Sequence, residues 1–186
     1  NLSKIDELVK KLHKKYKYLD ILICNLGNSD FYNNDKNFKH AFNYNFFPAV
    51  YLVERSKKIL KKSKSKIIWI SSICGIERID GAPIGYSIAK SALNFYVKLI
   101  SKELAKNEIS INAIVPGNIF FKGSTWDLKL KDNPKKTKKY IMQNVPMNKF
   151  GSTDDIFQLC KIISENNSNF ITGSLFKLDG GQSKSI

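Results

Sequence analysis

The chain has 186 residues and 42% hydrophobic content, enough to bury one core and unlike the composition of disordered proteins. Its formal net charge of +15 would suit a polyanion, but arginine stands only at Arg55 and Arg78, so lysine supplies the other 29 of 31 positive charges. Lysine lacks the forked guanidinium that reads base edges, and the pairs Lys10-Lys11, Lys57-Lys58, Lys61-Lys62, Lys135-Lys136 and Lys138-Lys139 are spread as on a solvated surface, which argues against a nucleic-acid partner.

Cys24, Cys74 and Cys160 are odd in number and form no C-x-x-C pair, which points to reduced thiols in a cytoplasmic protein. His13 and His40 have no ligand cluster around them, so no metal is expected. No stretch approaches the roughly 18 apolar residues that span a bilayer, and the lysine-rich start has no signal-type apolar core, so no membrane is expected. The first residue is Asn1 rather than Met, which suggests a sequence processed or cut from something longer.

Leu2, Ile5, Leu8, Leu12, Tyr16 and Leu19 recur every three or four residues and predict a helix with a packing stripe. Asp20 to Cys24 reads as a short buried strand that enters a turn at Asn25-Leu26-Gly27-Asn28. A second helical segment runs from Phe42 to about Leu60, and Pro48 inside it predicts a kink or a late start. Lys66 to Ile70 is a second strand, followed by Ser71-Ser72 and a glycine-containing loop. Tyr86 to Leu104 reads as a long helix, Ile109 to Val115 as a third strand and Ser174 to Leu178 as a fourth. The polar, lysine-rich stretch from Phe120 to Phe150 reads as a lid or substrate loop. A helix capped by Ser152, with Asp154 and Asp155 set against its dipole, runs to about Ser164. Strands alternating with helices imply the α/β class, as a parallel sheet covered on both faces.

The chemistry centres on Tyr86-Ser87-Ile88-Ala89-Lys90, where a phenol and an ammonium lie one helical turn apart on the same face. A cation so close favours phenolate and is expected to lower the tyrosine pKa from about 10, suiting it to general acid and base work. Alone, Tyr-x-x-x-Lys occurs by chance in any lysine-rich chain. Its company strengthens it: Ser72, Asn25-Leu26-Gly27 and Pro116-Gly117 each follow or close a predicted strand, and parallel α/β sheets bind ligands outside those carboxyl ends. Plainer readings stand beside these. Ser72 could cap its turn, Asn45 could bond backbone within its helix, and Gly27 and Gly117 could serve backbone angles alone. Phe121, Trp126 and Tyr140 could be packing residues rather than pocket wall.

Taken together, Cys24-Asn25-Leu26-Gly27, the segment Asn45 to Leu52, Ile70-Ser71-Ser72-Ile73-Cys74-Gly75, Tyr86 to Lys90, Asn112 to Gly117, Ile171-Thr172-Gly173 and Asp179-Gly180-Gly181 resemble, in order, the motifs of the short-chain dehydrogenase/reductase family. Cys24 and Leu26 depart from its Asn-Asn-Ala-Gly element. The resemblance implies a Rossmann-like doubly wound parallel sheet, with residues 1–186 as a single, partial domain. It implies an NAD- or NADP-dependent oxidoreductase that interconverts a carbonyl and a secondary alcohol, such as a 3-oxoacyl thioester or a sugar-related ketone. Tyr86 would exchange the proton, Lys90 would lower its pKa and hold the nicotinamide ribose, Ser72 would hold the substrate oxygen, and Asn45 would position a water in the proton relay. Pro116, Gly117 and the backbone of Ile119 would meet the nicotinamide, Asn25 and Gly27 would lie beside the adenosine part, and Phe121 and Trp126 would face substrate. A homodimer or homotetramer, formed through the helices near residues 42–60 and 86–104, is also implied.

The family's opening strand and Thr-Gly-x-x-x-Gly-x-Gly turn have no counterpart in residues 1–186, so about three N-terminal strands are expected to be missing, with an unpaired sheet edge at Ile21 and the choice between NAD and NADP unreadable. A piece of a longer enzyme is the favoured explanation. A truncated relative that binds no dinucleotide is the alternative, and a basic polyanion-binding protein is the reading from another class.

Overall fold

A computed structural model describes residues 2–28, 38–60 and 65–185; Lys61-Lys62 of the lysine pattern lies outside them. The strands are β1 (Ile21–Cys24), β2 (Lys66–Ile70), β3 (Ser110–Pro116), β4 (Ile119–Phe120), β5 (Gly151–Ser152) and β6 (Leu175–Leu178). The helices are α1 (Leu2–Lys15), α2 (Phe38–Asn45), α3 (Phe47–Ser56), α4 (Ile84–Ala105), α5 (Thr125–Asp132), α6 (Pro134–Asn144) and α7 (Thr153–Glu165).

β1, β2, β3 and β6 form one parallel sheet in that order, with Cys24 beside Trp69, Ile70 beside Ile114 and Pro116 beside Leu178. Because every strand runs the same way, each step between neighbours crosses over through helical chain, and all four carboxyl ends open on one edge. Side chains alternate across the sheet. Ile67, Trp69, Ile111 and Ala113 face the layer of α3 and α4 and meet Val53, Leu93 and Val97. Ile68 and Ile114 face α7 and meet Cys160 and Ile163. Burying each large apolar side chain contributes roughly 1.5–3 kcal/mol. Lys66 ties α7 down by donating to Ile163 O at 3.2 Å and to Asn166 O, where a cation suits the helix C-terminus.

The Rossmann-like α/β sheet predicted from sequence is present, with differences in detail. The packing of α7 falls on β2 and β3, and on the edge strand β1 Ile21 and Ile23 are 42% and 48% exposed, so two-sided cover does not extend to β1. In α1 the inward face is Ile5, Val9 and Leu12, while Leu2 and Leu8 point outward. Of the two outcomes expected around Pro48, a kink or a late helix start, the structure shows the late start: the segment is two helices. α2 stops at Asn45 and α3 starts with Pro48 in its first turn, where a missing backbone donor costs little.

The largest departure is residues 120–150, predicted as a loop and found as the helical pair α5–α6 with the short parallel pair β4–β5 at its base. Ser124 accepts from Asp127 N at 3.2 Å to start α5. Asn133 accepts from Lys136 N at 3.0 Å and precedes Pro134 to start α6. Each helix is thus nucleated by its own cap.

Candidate active site

β2 ends at Ile70, and the chain turns through Ser71 and Ser72 into a single 3₁₀ turn, Ile73–Gly75. Ser72 caps that turn: its Oγ accepts from Cys74 N at 3.2 Å. The Ser72 hydroxyl also faces the same cleft as Tyr86 and favours its phenolate form. The capping role and the effect on the tyrosine therefore both fall to the one hydroxyl. Gly75 is what permits the closeness: a Cβ there would lie 2.7 Å from the Lys90 carbonyl carbon and 2.8 Å from Asn94 Nδ2, so a larger residue would drive the turn off α4. Behind it, Ser71 Oγ donates to Asn94 Oδ1 at 2.6 Å, a second bond between turn and helix.

Tyr86 and Lys90 project from the same side of α4, with the Lys90 ammonium 5.7 Å from the Tyr86 ring centroid. Lys90 is 3% exposed and donates to Ile70 O at 3.1 Å. The expected depression of the phenol pKa is not what this geometry gives. Burial pushes the Tyr86 phenol up to about 12, and the Ser72 hydroxyl offsets only part of that. Burial also pushes Lys90 down to about 8, so the ammonium that was to stabilise phenolate is itself held in poorly solvating surroundings. Loss of water is the dominant cause, and near neutral pH the tyrosine is a phenol, a proton donor.

Gly27 joins this cluster to the end of β1. A Cβ at Gly27 would lie 2.8 Å from Asn45 Oδ1 and 3.0 Å from Lys90 Nζ, so the absence of a side chain brings Asn45 and Lys90 against one backbone segment. Asn45, 1% exposed, accepts from Asn28 N at 3.0 Å and donates to Asn28 O at 2.9 Å and Ala41 O at 3.0 Å. It bonds backbone, as the plainer reading had it, and it also fixes the turn after β1 beside Lys90. Asn25 is exposed in that turn.

A cleft of about 600 Å³ opens in front of Ser72 and Tyr86, and Gly117, Ile119, Phe121 and Trp126 also line it. Pro116 is buried at the end of β3, and Gly117 N donates to Leu178 O at 2.9 Å. Trp126 stacks on Tyr140 with centroids 5.4 Å apart, so both aromatics are packed and pocket-lining at once. The sequence reading passed over Cys74, Asn118, Lys129 and Lys136 as cleft residues. For Lys129 and Lys136 the signal lay in the Ser124 and Asn133-Pro134 helix starts, which would have placed 125–144 as a structured wall. Gln182 was also passed over. It accepts from Asn118 Nδ2 at 2.6 Å and donates to Tyr140 Oη at 3.4 Å, tying the floor of the cleft to α6.

Among the described residues no group of three or more His, Cys, Asp or Glu side chains could hold a metal ion, the three cysteines are free thiols, and no helix is long and apolar enough to cross a membrane.

A parallel sheet whose carboxyl ends gather Ser72, Tyr86 and Lys90 at one cleft defines a class, and the comparison with known proteins agrees: the chain belongs to the short-chain dehydrogenase/reductase family of enzymes. A family profile described as Enoyl-(Acyl carrier protein) reductase matches residues 1–183. Among curated proteins, the 3-oxoacyl-[acyl-carrier-protein] reductase FabG of Rickettsia prowazekii (strain Madrid E) is 33% identical over 97% of this chain and 74% of its own length. The 7alpha-hydroxysteroid dehydrogenase of Paraclostridium sordellii is 29% identical over 97% of this chain and 69% of its own. Among solved structures, ElxO with NADP bound superposes with a TM-score of 0.86 at 28% identity, over 98% of this chain and 74% of that one.

Proposed function

We propose that this protein interconverts a carbonyl and a secondary alcohol, with Tyr86 as the proton-exchanging residue, and that residues 1–186 form a single, partial domain that carries the catalytic groups. The cofactor is NAD or NADP, the class bound in the solved structure of the similar ElxO. When bound, it supplies or accepts the hydride. The residues present fit its nicotinamide half: Gly117 and Ile119 line the cleft that Tyr86 faces. Lys90 would hold the nicotinamide ribose, Pro116 would lie at the nicotinamide end, and the turn around Asn25 and Gly27 would lie beside the adenosine part.

The observation that carries the reading is that Ser72 and Tyr86 line one cleft, with the Lys90 ammonium 5.7 Å from the Tyr86 ring centroid. Ser72 Oγ, held by the Cys74 N–H, orients the substrate oxygen toward Tyr86. The phenol gives its proton to that oxygen in reduction and takes one back in oxidation. Lys90 limits the cost of the phenolate so formed, and Asn45 fixes the turn that holds Lys90 from the other side. A 3-oxoacyl thioester is the leading substrate type, by likeness to the Rickettsia reductase. The free thiols fit a cytoplasmic setting. Ile84, Ile88, Phe95 and Leu99, exposed along α4, fit self-association as a homodimer or homotetramer, which sedimentation at several concentrations would test.

The test of the catalytic reading is turnover of a ketone panel with NADH or NADPH by the full-length protein and by Tyr86→Phe. Turnover should fall about 10²–10⁴-fold in the variant. Equal turnover would remove Tyr86 from the chemistry, and absence of dinucleotide binding in calorimetric titration would remove the oxidoreductase reading altogether.

A further inference from the structure

The cleft has two unlike ends. Ser72 and Tyr86 stand at one, and Lys129 and Lys136 line the other, where the last turn of α5 meets the first turn of α6. The Lys129 ammonium lies 4.7 Å from the Trp126 ring centroid, and Trp126 is braced by Tyr140 at 5.4 Å and Phe150 at 5.5 Å, so its approach is fixed by a packed aromatic stack. Burial and the like charge of Lys136 together hold Lys129 below the ordinary lysine range, as expected of two cations turned toward one space. Two acids also line the cleft, Asp80 and Asp132. The Asp80 side chain is 87% exposed and faces Arg78 at 3.5 Å, while Asp132, at the exposed end of α5, precedes Lys136 by four residues and leaves both lysines in the same lining.

We infer that the cleft takes a carbonyl substrate bearing an oxyanion at the end remote from its carbonyl, received by Lys129 and Lys136 beside the Trp126 ring. This rests on the carbonyl reading above and narrows it to anionic substrates. The anion is a carboxylate of the substrate itself or a phosphate on the arm that carries it. Two ammonium groups suit either, because lysine acts as a point charge with rotatable donors and demands no fixed fork geometry.

The experiment compares kcat/KM for ω-carboxy ketones and their methyl esters, and for a 3-oxoacyl pantetheine thioester with and without its 4′-phosphate. These are measured on the wild type, on Lys129→Gln/Lys136→Gln and on Lys139→Gln, which lies off the cleft and reports the general field of the +15 chain. The wild type should prefer the anion at least tenfold in one of the two arms, which identifies the source. The double variant should lose that preference, chiefly in KM, and Lys139→Gln should shift it less than twofold. In parallel, quenching of Trp126 fluorescence by the anionic ligands reports binding without turnover, since Trp69, the other tryptophan, is fully buried. Quenching that is lost in the double variant supports the subsite even if no ketone is reduced, an outcome that would sink only the catalytic reading. Turnover with equal preference for anion and ester, or equal loss of preference in Lys139→Gln, overturns the subsite while leaving the carbonyl reading intact.

Discussion

The two walls of the cleft are built on opposite principles. The wall of Ser72, Gly75, Tyr86 and Lys90 is laid against the sheet with backbone-to-backbone closeness, and its Ser72 and Lys90 side chains are buried and bonded to nearby backbone. The α5–α6 wall is a capped helical pair whose lysines face solvent or the cleft and whose order comes from an aromatic stack and one glutamine tether. A proton transfer needs atoms held to within a fraction of an ångström, whereas recognition of a substrate's far end tolerates, and benefits from, a wall that can be exchanged without disturbing the sheet. The contrast teaches that substitutions on the first wall should strike rate and folding together, and those on the second should strike affinity.

Substitutions ranked by expected size test this division. After Tyr86→Phe, Ser72→Ala should give the largest loss, about 10²-fold in kcat, because the substrate oxygen loses its oriented partner; a loss confined to KM would move Ser72 to the recognition wall. Next comes the titration of Lys90. Its folded-state pKa of about 8 lies below the ordinary 10.5, so between those values the unfolded chain binds a proton that the folded one has released, and stability rises with pH across that window. Denaturant unfolding of wild type against Lys90→Met should show the wild type gaining by up to about 3 kcal/mol from pH 8 to 10.5, and a flat difference would show that Lys90 titrates normally. Gly75→Ala, which forces a Cβ into the Lys90 backbone, should cost about 1–3 kcal/mol and lower kcat as the turn shifts. The smallest effect is expected at Trp126→Ala: KM raised several-fold by loss of a stack of about 1 kcal/mol, with kcat little changed. A fall in kcat as large as that of Ser72→Ala would erase the distinction between the walls.

The same division governs what could be read from the sequence. The central strands β2 and β3 were legible because parallel strands buried on both faces are continuous apolar runs, and Lys66–Ile70 was placed residue for residue. Tyr86, Lys90 and Ser72 were legible because the chemistry fixes residue type, helical spacing and position at a strand end all at once. The wall of α5–α6 was not, because its mean composition is polar and lysine-rich and its helices depend on local caps at Ser124 and Asn133 rather than on an apolar stripe. The direction of the tyrosine pKa was misjudged for a related reason. Spacing reveals which charges are close, but the loss of water around them depends on how the 3₁₀ turn and α4 close over the pair.

The sheet's connectivity has a consequence for how the site comes into being. No neighbouring strands are joined by a hairpin; Ile21 must find Lys66, and Ala113 must find Leu175, across long stretches of intervening chain. Such pairings raise the contact order and slow assembly, since closure entropy precedes any reward. The hydroxyl of residue 72 and the ring of residue 86 are near neighbours in sequence, yet the strand and helix that carry them are both seated on β3, so catalytic competence is expected in refolding only once those long-range pairings have formed.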